Sequence, residues 1–468
     1  MPESWATFGV DLHLERDTAA GRRAGLERAL REAIRDGRLA ADTRLPSSRA
    51  LAADLGLSRG TVSAAYDQLV AEGYLAARHG SGTVVSGLAR PDPAAARQAS
   101  RAGAEPRHDL RPGQPDVSFF PWGPWQRASR RALAAAPAGT MRYGDPRGLI
   151  QLRTALAEYL GRARGVLAAP DQIVITSGYV QGLALLTRVL AEAGARSIAM
   201  EDPGLPFHRE VVRRAGLAVA PLPVDKRGAW ADAGDAAAVV VTPAHQYPGG
   251  ATLHPARRRE LAQWARHGGG LVIEDDYDGE FRYDRQPVGA VQALAPEHVV
   301  YAGSASKSLA PGFRLGWLVL PAPLAREVAA AQELAAGPGC RLDQLTLAEF
   351  IVSGGYDRHV RRSRLAYRRR RDRLAAALAR EAPQVRVTGI AAGLHALCEL
   401  PPGLAEDHVV ARALARGLDV DGLGHYRARE SGPHGPARQA LVVGYGSPPE
   451  HAFSGAVARL CAALNDPA

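Results

Sequence analysis

The sequence predicts a two-part α/β protein: a small helical head closed by a two-stranded hairpin, then a large domain built on a parallel sheet covered on both faces. Three observations predict it. Residues 10–86 show short helical patterns that end in a Gly-rich hairpin. Residues 87–106 are rich in Ala, Pro and Arg without apolar periodicity, which suits an exposed linker. From 107 to 468, apolar strand-like runs alternate with helical patterns. Such alternation implies a parallel sheet between helical layers. Length agrees, since 468 residues at about 150 per domain give two or three domains.

In the head, Leu26, Leu30, Ala33 and Ile34 form one apolar face of a first helix, which Gly37 ends. Leu45-Pro46-Ser47-Ser48-Arg49 offers a Ser cap to a second helix, with Leu51, Ala52 and Leu55 inward and Gly56 closing it. Ser58 caps a third, which buries Val62, Ala65, Tyr66 and Leu69 and presents Arg59, Gly60, Thr61 and Ser63 on its other side. A tight helix pair with a slim, polar second member is what entry into the DNA major groove requires. Tyr74–Arg78 and Thr83–Val85, joined by His79-Gly80-Ser81-Gly82, make a wing whose Gly-rich tip can approach a phosphate backbone. These elements together spell a winged helix-turn-helix. The whole chain carries a formal charge of +10, yet residues 1–86 hold eleven arginines against eleven acids. DNA contact must therefore come from locally placed arginines, not bulk charge.

In the large domain, strands are expected at 172–176, 197–200, 238–242, 270–274 and 299–302. The arginine run 358–373 is interrupted by Val360, Leu365, Tyr367 and Leu374 at roughly helical spacing, so a solvated amphipathic helix is expected there. Of 58 basic residues only Lys226 and Lys307 are lysines. The bias toward Ala, Arg, Gly and Pro lets Arg stand wherever charge alone suffices, so a retained lysine points to a need for a primary amine. Arg cannot form a Schiff base. Lys226 lies in a surface turn, Val224-Asp225-Lys226-Arg227-Gly228. Lys307 lies in Ser304-Ala305-Ser306-Lys307 after a strand, with Arg314 seven residues on. Upstream, Leu271-Val272-Ile273-Glu274-Asp275-Asp276-Tyr277 sets acids and a phenol at a strand's carboxyl end, where open α/β sheets bind ligands. Ser177-Gly178 follows another strand and opens a helix, a natural phosphate seat. An amine for an imine, a carboxylate for a pyridine nitrogen and an anion seat are what pyridoxal 5'-phosphate (PLP) demands.

The stretch LPSSRALAADLGLSRGTVSAAYDQLVAEGYLAARHGSGTVV resembles the winged helix-turn-helix of the GntR family along nearly its whole length. That resemblance implies operator-DNA contacts from Arg49, Ser58, Arg59, Thr61, His79 and Gly80. The segments RPGQPDVSFFPWGPW, YGDPRGLIQLR, TSGYVQGLALL, EDPGLPFHRE, TPAHQYPGG, EDDYDGEFRY and SASKSLAPGFRLGW resemble fold-type I PLP-dependent aminotransferases. The combination looks like the MocR/GabR subgroup of GntR-family transcription regulators. It implies Lys307 as the Schiff-base lysine, Asp275 at the pyridine nitrogen and Tyr277 at the ring hydroxyl. It also implies Gly178, Ser304, Ser306 and Arg314 at the phosphate, Tyr143 reaching the partner's phosphate in a homodimer, and Gln246 near the ring hydroxyl. For Asp276 and Glu280 a structural role is at least as well supported as a functional one.

The departures matter as much. Tyr179-Val180 replaces the family's usual Thr-Gln, and Leu205 stands where a Tyr commonly stacks on the ring, with Phe207 as a substitute. Val442 stands where an Arg would clamp an amino acid's carboxylate, and Arg438 is near but offset. These residues predict a regulator that senses a small amine, an amino acid or PLP itself; the alternative is a working aminotransferase with a DNA-binding head. Composition excludes other classes. The acidic N-terminus, with Glu3, Asp11, Glu15 and Asp17, does not read as a secretory signal. No uncharged apolar run approaches the roughly eighteen residues of a membrane span. Cys340, Cys398 and Cys461 fit no metal spacing and suit a reducing compartment, so the cytoplasm is expected.

Overall fold

A computed structural model describes residues 21–78, 82–87, 108–283, 288–335, 337, 339–428 and 438–465. The chain divides into two compact units, 1–105 and 106–468. The expected linker lies outside the described residues except for Gly87.

The head contains α1 (Arg22–Arg35), α2 (Ser48–Leu55), α3 (Arg59–Ala71) and the hairpin β1 (Leu75–Arg78) with β2 (Gly82–Val85). Each boundary has a local cause. The Ser47 side chain accepts from the Ala50 amide at 3.2 Å, and that of Ser58 from the Thr61 amide at 3.1 Å. Such caps contribute about 1 kcal/mol each. Gly56 ends α2 in the left-handed region at φ 62°, which only glycine adopts without strain. Tyr66 donates from its hydroxyl to the Pro46 carbonyl at 3.0 Å, tying α3 to the segment that precedes α2. Leu26, Leu30, Leu51, Val62, Leu69 and Leu75 close one core. β1 and β2 pair antiparallel, with Leu75 opposite Val85 and Arg78 opposite Gly82.

The large unit begins with β3 (His108–Asp109) and is centred on an eight-stranded sheet. Its strands are β4 (Ile173–Thr176), β5 (Ser197–Asp202), β6 (Ala218–Asp225), β7 (Gly228–Ala229), β8 (Ala238–Val241), β9 (Leu271–Asp275), β10 (Val299–Ser304) and β11 (Gly316–Val319). Their spatial order is β4-β11-β10-β9-β8-β5-β6-β7. β10, β9, β8, β5 and β6 pair in parallel, and apolar clusters cover both faces. That explains why β4, β8 and β9 read as continuous apolar runs. The expected parallel sheet is corrected at two strands: the short edge strand β7 runs antiparallel to β6, and β11 runs antiparallel between β10 and β4. It returns the chain directly from the Lys307 turn. Gly316 opens it because a β-carbon there would meet the Gly178 backbone and the Thr176 hydroxyl at 2.9 Å.

A second sheet of β12 (Arg386–Thr388), β13 (His395–Glu399), β15 (Asp421–Gly422) and β16 (Ala440–Gly444) is antiparallel, while β14 (Leu418–Asp419) pairs with β3. The helices Gly355–Glu381 and Glu450–Asn465 pack on it around Leu374, Leu378, Phe453 and Leu460. The arginine run is helical as expected, but it is not solvated throughout. Arg370 is fully buried, donating to Asp116 at 2.6 Å and to the Gly446 carbonyl at 3.2 Å. The rings of Phe119, Tyr367 and Phe453 lie 4.9–5.8 Å from its guanidinium, close enough for cation–π attraction. Among the described residues no helix is long and apolar enough to cross a membrane.

Candidate functional site

The carboxyl ends of β9 and β10 and the amino end of the helix Tyr179–Glu192 open on one cavity of about 450 Å³. Lys307, Asp275, Tyr277, Gly178, Ser304, Ser306 and Arg314 all line it. Lys307 sits in the turn after β10 and donates from Nζ to the Gly113 carbonyl. Burial holds its amine below the ordinary range, and Asp275 and Asp278 partly oppose that. Asp275 ends β9. Burial, reinforced by Asp276, drives its carboxyl well above the usual range, and only Lys307 pulls it back. An amine biased toward its neutral, nucleophilic form can condense with a carbonyl. A buried carboxyl beside it can stabilise a cationic ring.

The anion end has its own geometry. Gly178 (φ 103°) precedes the helix Tyr179–Glu192, and a β-carbon on it would lie 3.7 Å from the Arg314 guanidinium. Arg314 itself is held left-handed at φ 48°, an uncommon conformation for a side-chain-bearing residue and one that clusters at ligand sites. Helix amides, two serine hydroxyls and a guanidinium thus converge where a phosphate can be held.

Two expected residues fall outside the cavity. Gln246 is buried but lines no part of it; its amide donates to the Pro203 carbonyl at 2.9 Å and the Tyr247 carbonyl at 2.7 Å, and accepts from Gly249 at 2.8 Å. Its amide is shared among Glu201, the Pro203 carbonyl and the Tyr247-Pro248 turn, so the structure does not bring Gln246 to the cavity as a ring contact. Tyr143 is fully exposed and touches no part of its own chain's cavity. Phe207 is 61% exposed and points elsewhere, whereas His208, one residue on, lines the cavity with its ring 4.8 Å from that of Tyr179. His208 and Tyr179 are therefore the aromatic wall that sequence reasoning missed. Their signal was the (i, i+3) step from Leu205 to His208 on one helix face. The Tyr179 hydroxyl is buried without a hydrogen-bond partner, an atom that awaits one. Glu201, also missed, lines the cavity beneath hydrogen bonds from Thr242 and Gln246, and burial pushes its pKa up to about 7.

Asp276 faces the other way. It takes Arg164 at 2.6 and 3.0 Å and the Tyr301 hydroxyl at 2.6 Å, a buried structural knot. Glu280 sits beside Tyr159 and Tyr356 behind the same wall. Val442 is buried on β16 among Tyr247, Leu397, Leu423 and Tyr426. Arg438 is paired with Glu399 and donates to Thr388 at 3.1 Å, away from the cavity. Arg209 does line the cavity, but its Nη2 already donates to the Glu201 carbonyl, the Tyr426 carbonyl and Asp202.

On the head, Arg49 and Arg59 are exposed at the starts of α2 and α3. Thr61 is half-buried, and its hydroxyl lies 2.8 Å from that of Ser58, so Ser58 is engaged as the helix cap. His79 and Gly80 lie outside the described residues. Arg59→Ala is expected to weaken binding to a specific operator by about 1–3 kcal/mol, and binding to random DNA much less. Competition titrations with the two DNAs measure this, and equal losses would mean that Arg59 touches only phosphate.

A helix-turn-helix with a wing, joined to an α/β domain with a lysine-bearing cavity, defines a DNA-binding regulator that carries an enzyme's fold. Residues 23–85 match the gntR family of bacterial regulatory proteins, and residues 117–417 match the aminotransferase class I and II family. The chain belongs to the MocR-type GntR transcription regulators. It is 35% identical over 447 residues to the pyridoxine biosynthesis transcriptional regulator PdxR of Corynebacterium glutamicum, covering 94% of this chain and 95% of that one. It is 34% identical over 460 residues to the probable rhizopine catabolism regulatory protein MocR of Rhizobium meliloti, covering 93% and 92%. An archaeal alanine:glyoxylate aminotransferase shares the fold at a TM-score of 0.69 and 23% identity, over 79% of this chain and 93% of that one.

Proposed function

We propose that this regulator holds PLP on Lys307 and that the bound cofactor, or its reaction with a simple amine, governs operator binding by the head. The observation that carries the reading is one cavity uniting the part-buried Lys307 with Asp275, Tyr277 and the Gly178–Arg314 anion seat. The residues fit the group. The buried Asp275 carboxyl, with the Tyr179 hydroxyl beside it, offers the acidic partner that a pyridine nitrogen demands. When bound, PLP supplies an electrophilic carbon and an electron sink. Lys307 would hold it covalently, Asp275 would face the ring nitrogen, Tyr277 the ring hydroxyl, and Gly178, Ser304, Ser306 and Arg314 the phosphate. The His208 ring would stack where Leu205 cannot. Full exposure of Tyr143 suits a homodimer in which it reaches the partner's cofactor.

The signal is best read as PLP itself or an amine without a carboxylate. Val442 leaves the usual carboxylate position apolar, and Arg209 and Arg438 are engaged in structural pairs. The relative named for regulating pyridoxine biosynthesis supports the first choice. Electrophoretic mobility of operator DNA with and without PLP, run beside a transamination assay, tests the reading. A cofactor-dependent shift with little turnover is expected; rapid turnover with cofactor-independent DNA binding would favour an enzyme carrying an accessory head.

A further inference from the structure

Behind Tyr277 lies a group of buried polar residues with no assigned task. The Tyr277 hydroxyl is 3.0 Å from Nδ1 of His245, and the same nitrogen is 2.8 Å from Oδ2 of Asp278. His245 follows β8, while Tyr277 and Asp278 follow β9. Neither His245 nor Asp278 lines the cavity, and each is only 3% exposed. The fit is close enough that a β-carbon on Gly393, which sits at φ 72°, would collide with both side chains. A third ring, His395, stacks at 4.9 Å from His245 and meets the Pro248 carbonyl at 3.2 Å.

Chemistry fixes the protons in this group. A carboxylate only accepts, so Nδ1 of His245 must carry hydrogen and donate to Asp278. That nitrogen then has no lone pair to offer the phenol. Tyr277 can only share the same N–H as an acceptor, and its own proton is left for Asp278, which also approaches the phenol, or for an acceptor in the cavity. His395 keeps the arrangement from changing. Burial, and then His245 itself, hold the His395 ring neutral, so it cannot act as a cation in exchange. The other titratable groups that face the trio are Tyr247, Asp275, Glu280, Tyr283 and Tyr445 and, across the cavity, Lys307.

We infer that His245 and Asp278 are positioning residues which turn Tyr277 into an obligate hydrogen-bond donor toward the ring oxygen of the cofactor. The inference rests on the reading of this cavity as a PLP site. Its consequence is spectroscopic. When the Schiff base nitrogen loses its proton, the ring oxygen loses its internal partner and its charge leans on the Tyr277 proton. Withdrawing that proton makes the nitrogen harder to deprotonate.

The test is a pH titration of the visible band of the full-length protein with PLP bound. Tyr277→Phe should raise the midpoint by about one pH unit, a tenfold change in proton affinity. His245→Leu should raise it in the same direction, His245→Asn should restore it because its amide can replace the Nδ1 hydrogen, and His245→Leu should add nothing to Tyr277→Phe. Should His245→Leu fail to fold, Asp278→Asn separates the cases by sign. Loss of a nearby negative charge alone would lower the midpoint, whereas loss of Tyr277 positioning raises it. A lowered midpoint, or a His245→Leu shift that persists in the Tyr277→Phe background, overturns the inference. A wild-type protein without any visible band would instead overturn the cofactor reading.

Discussion

Lys307→Ala is expected to abolish the yellow absorption of the protein incubated with PLP, and with it the covalent label that borohydride leaves. The effect should be all or none, because among the described residues Lys307 is the only lysine that lines the cavity. Lys226, the second lysine of the chain, is exposed in the turn between β6 and β7. Lys226→Ala should therefore keep the band unchanged and serve as the control. The physical basis is the low-pKa amine. Burial disfavours the ammonium form of Lys307 and so favours the nucleophilic free base, against the partial opposition of Asp275 and Asp278. Absorbance spectra and the intact mass after reduction measure both outcomes. Colour that survives Lys307→Ala would move the attachment elsewhere.

Amino acids carrying an α-carboxylate are expected to perturb that band poorly. A desolvated, bidentate Arg–carboxylate pair changes binding by roughly 2–5 kcal/mol, a factor of some tens to thousands. On the proposed reading Val442 stands where such an Arg would act, and it is enclosed by Tyr247, Leu397 and Tyr426. Tyr426 donates to Asp421 at 2.6 Å and pairs with the Tyr247 hydroxyl at 3.3 Å, which leaves a wall of phenols already engaged with each other. Alanine, glutamate and aspartate should thus give weak, unsaturated spectral changes, while amines without an α-carboxylate react more readily. A titration panel over both sets reads the difference. Saturation at sub-millimolar glutamate with conversion to the pyridoxamine form would show that another arginine clamps the carboxylate.

Much of this architecture was legible before any coordinates. Serines at 47 and 58 and glycine at 56 mark helix ends by local chemistry, so α2 and α3 fall where the residues place them. Lys307 stood out because, of the two lysines among 58 basic residues, it alone lies in a serine-flanked turn after a strand. What was illegible depends on long-range contact. Arg370 looks like its exposed neighbours, and only the fold reveals Asp116, 254 residues away in sequence, as its partner. β11 reads like any apolar strand, and its reversed direction follows from pairing with both β10 and β4. Gln246 was a plausible ring contact by position, yet its amide is taken up by Glu201, the Pro203 carbonyl and its own turn. The choice of His208 over Phe207 is a matter of helix phase, since one residue's rotation of about 100° decides which ring faces the cavity. The His245–Asp278 pair joins segments 33 residues apart and has no sequence signature.

The decisive measurement is operator affinity of the full-length protein, with and without PLP, for both wild type and Lys307→Ala. PLP should change the wild-type affinity severalfold or more, and Lys307→Ala should be blind to the cofactor while still binding DNA through Arg49 and Arg59. Equal affinities under all four conditions would contradict control by the cofactor, leaving a DNA-binding head whose large domain has no say in where it binds.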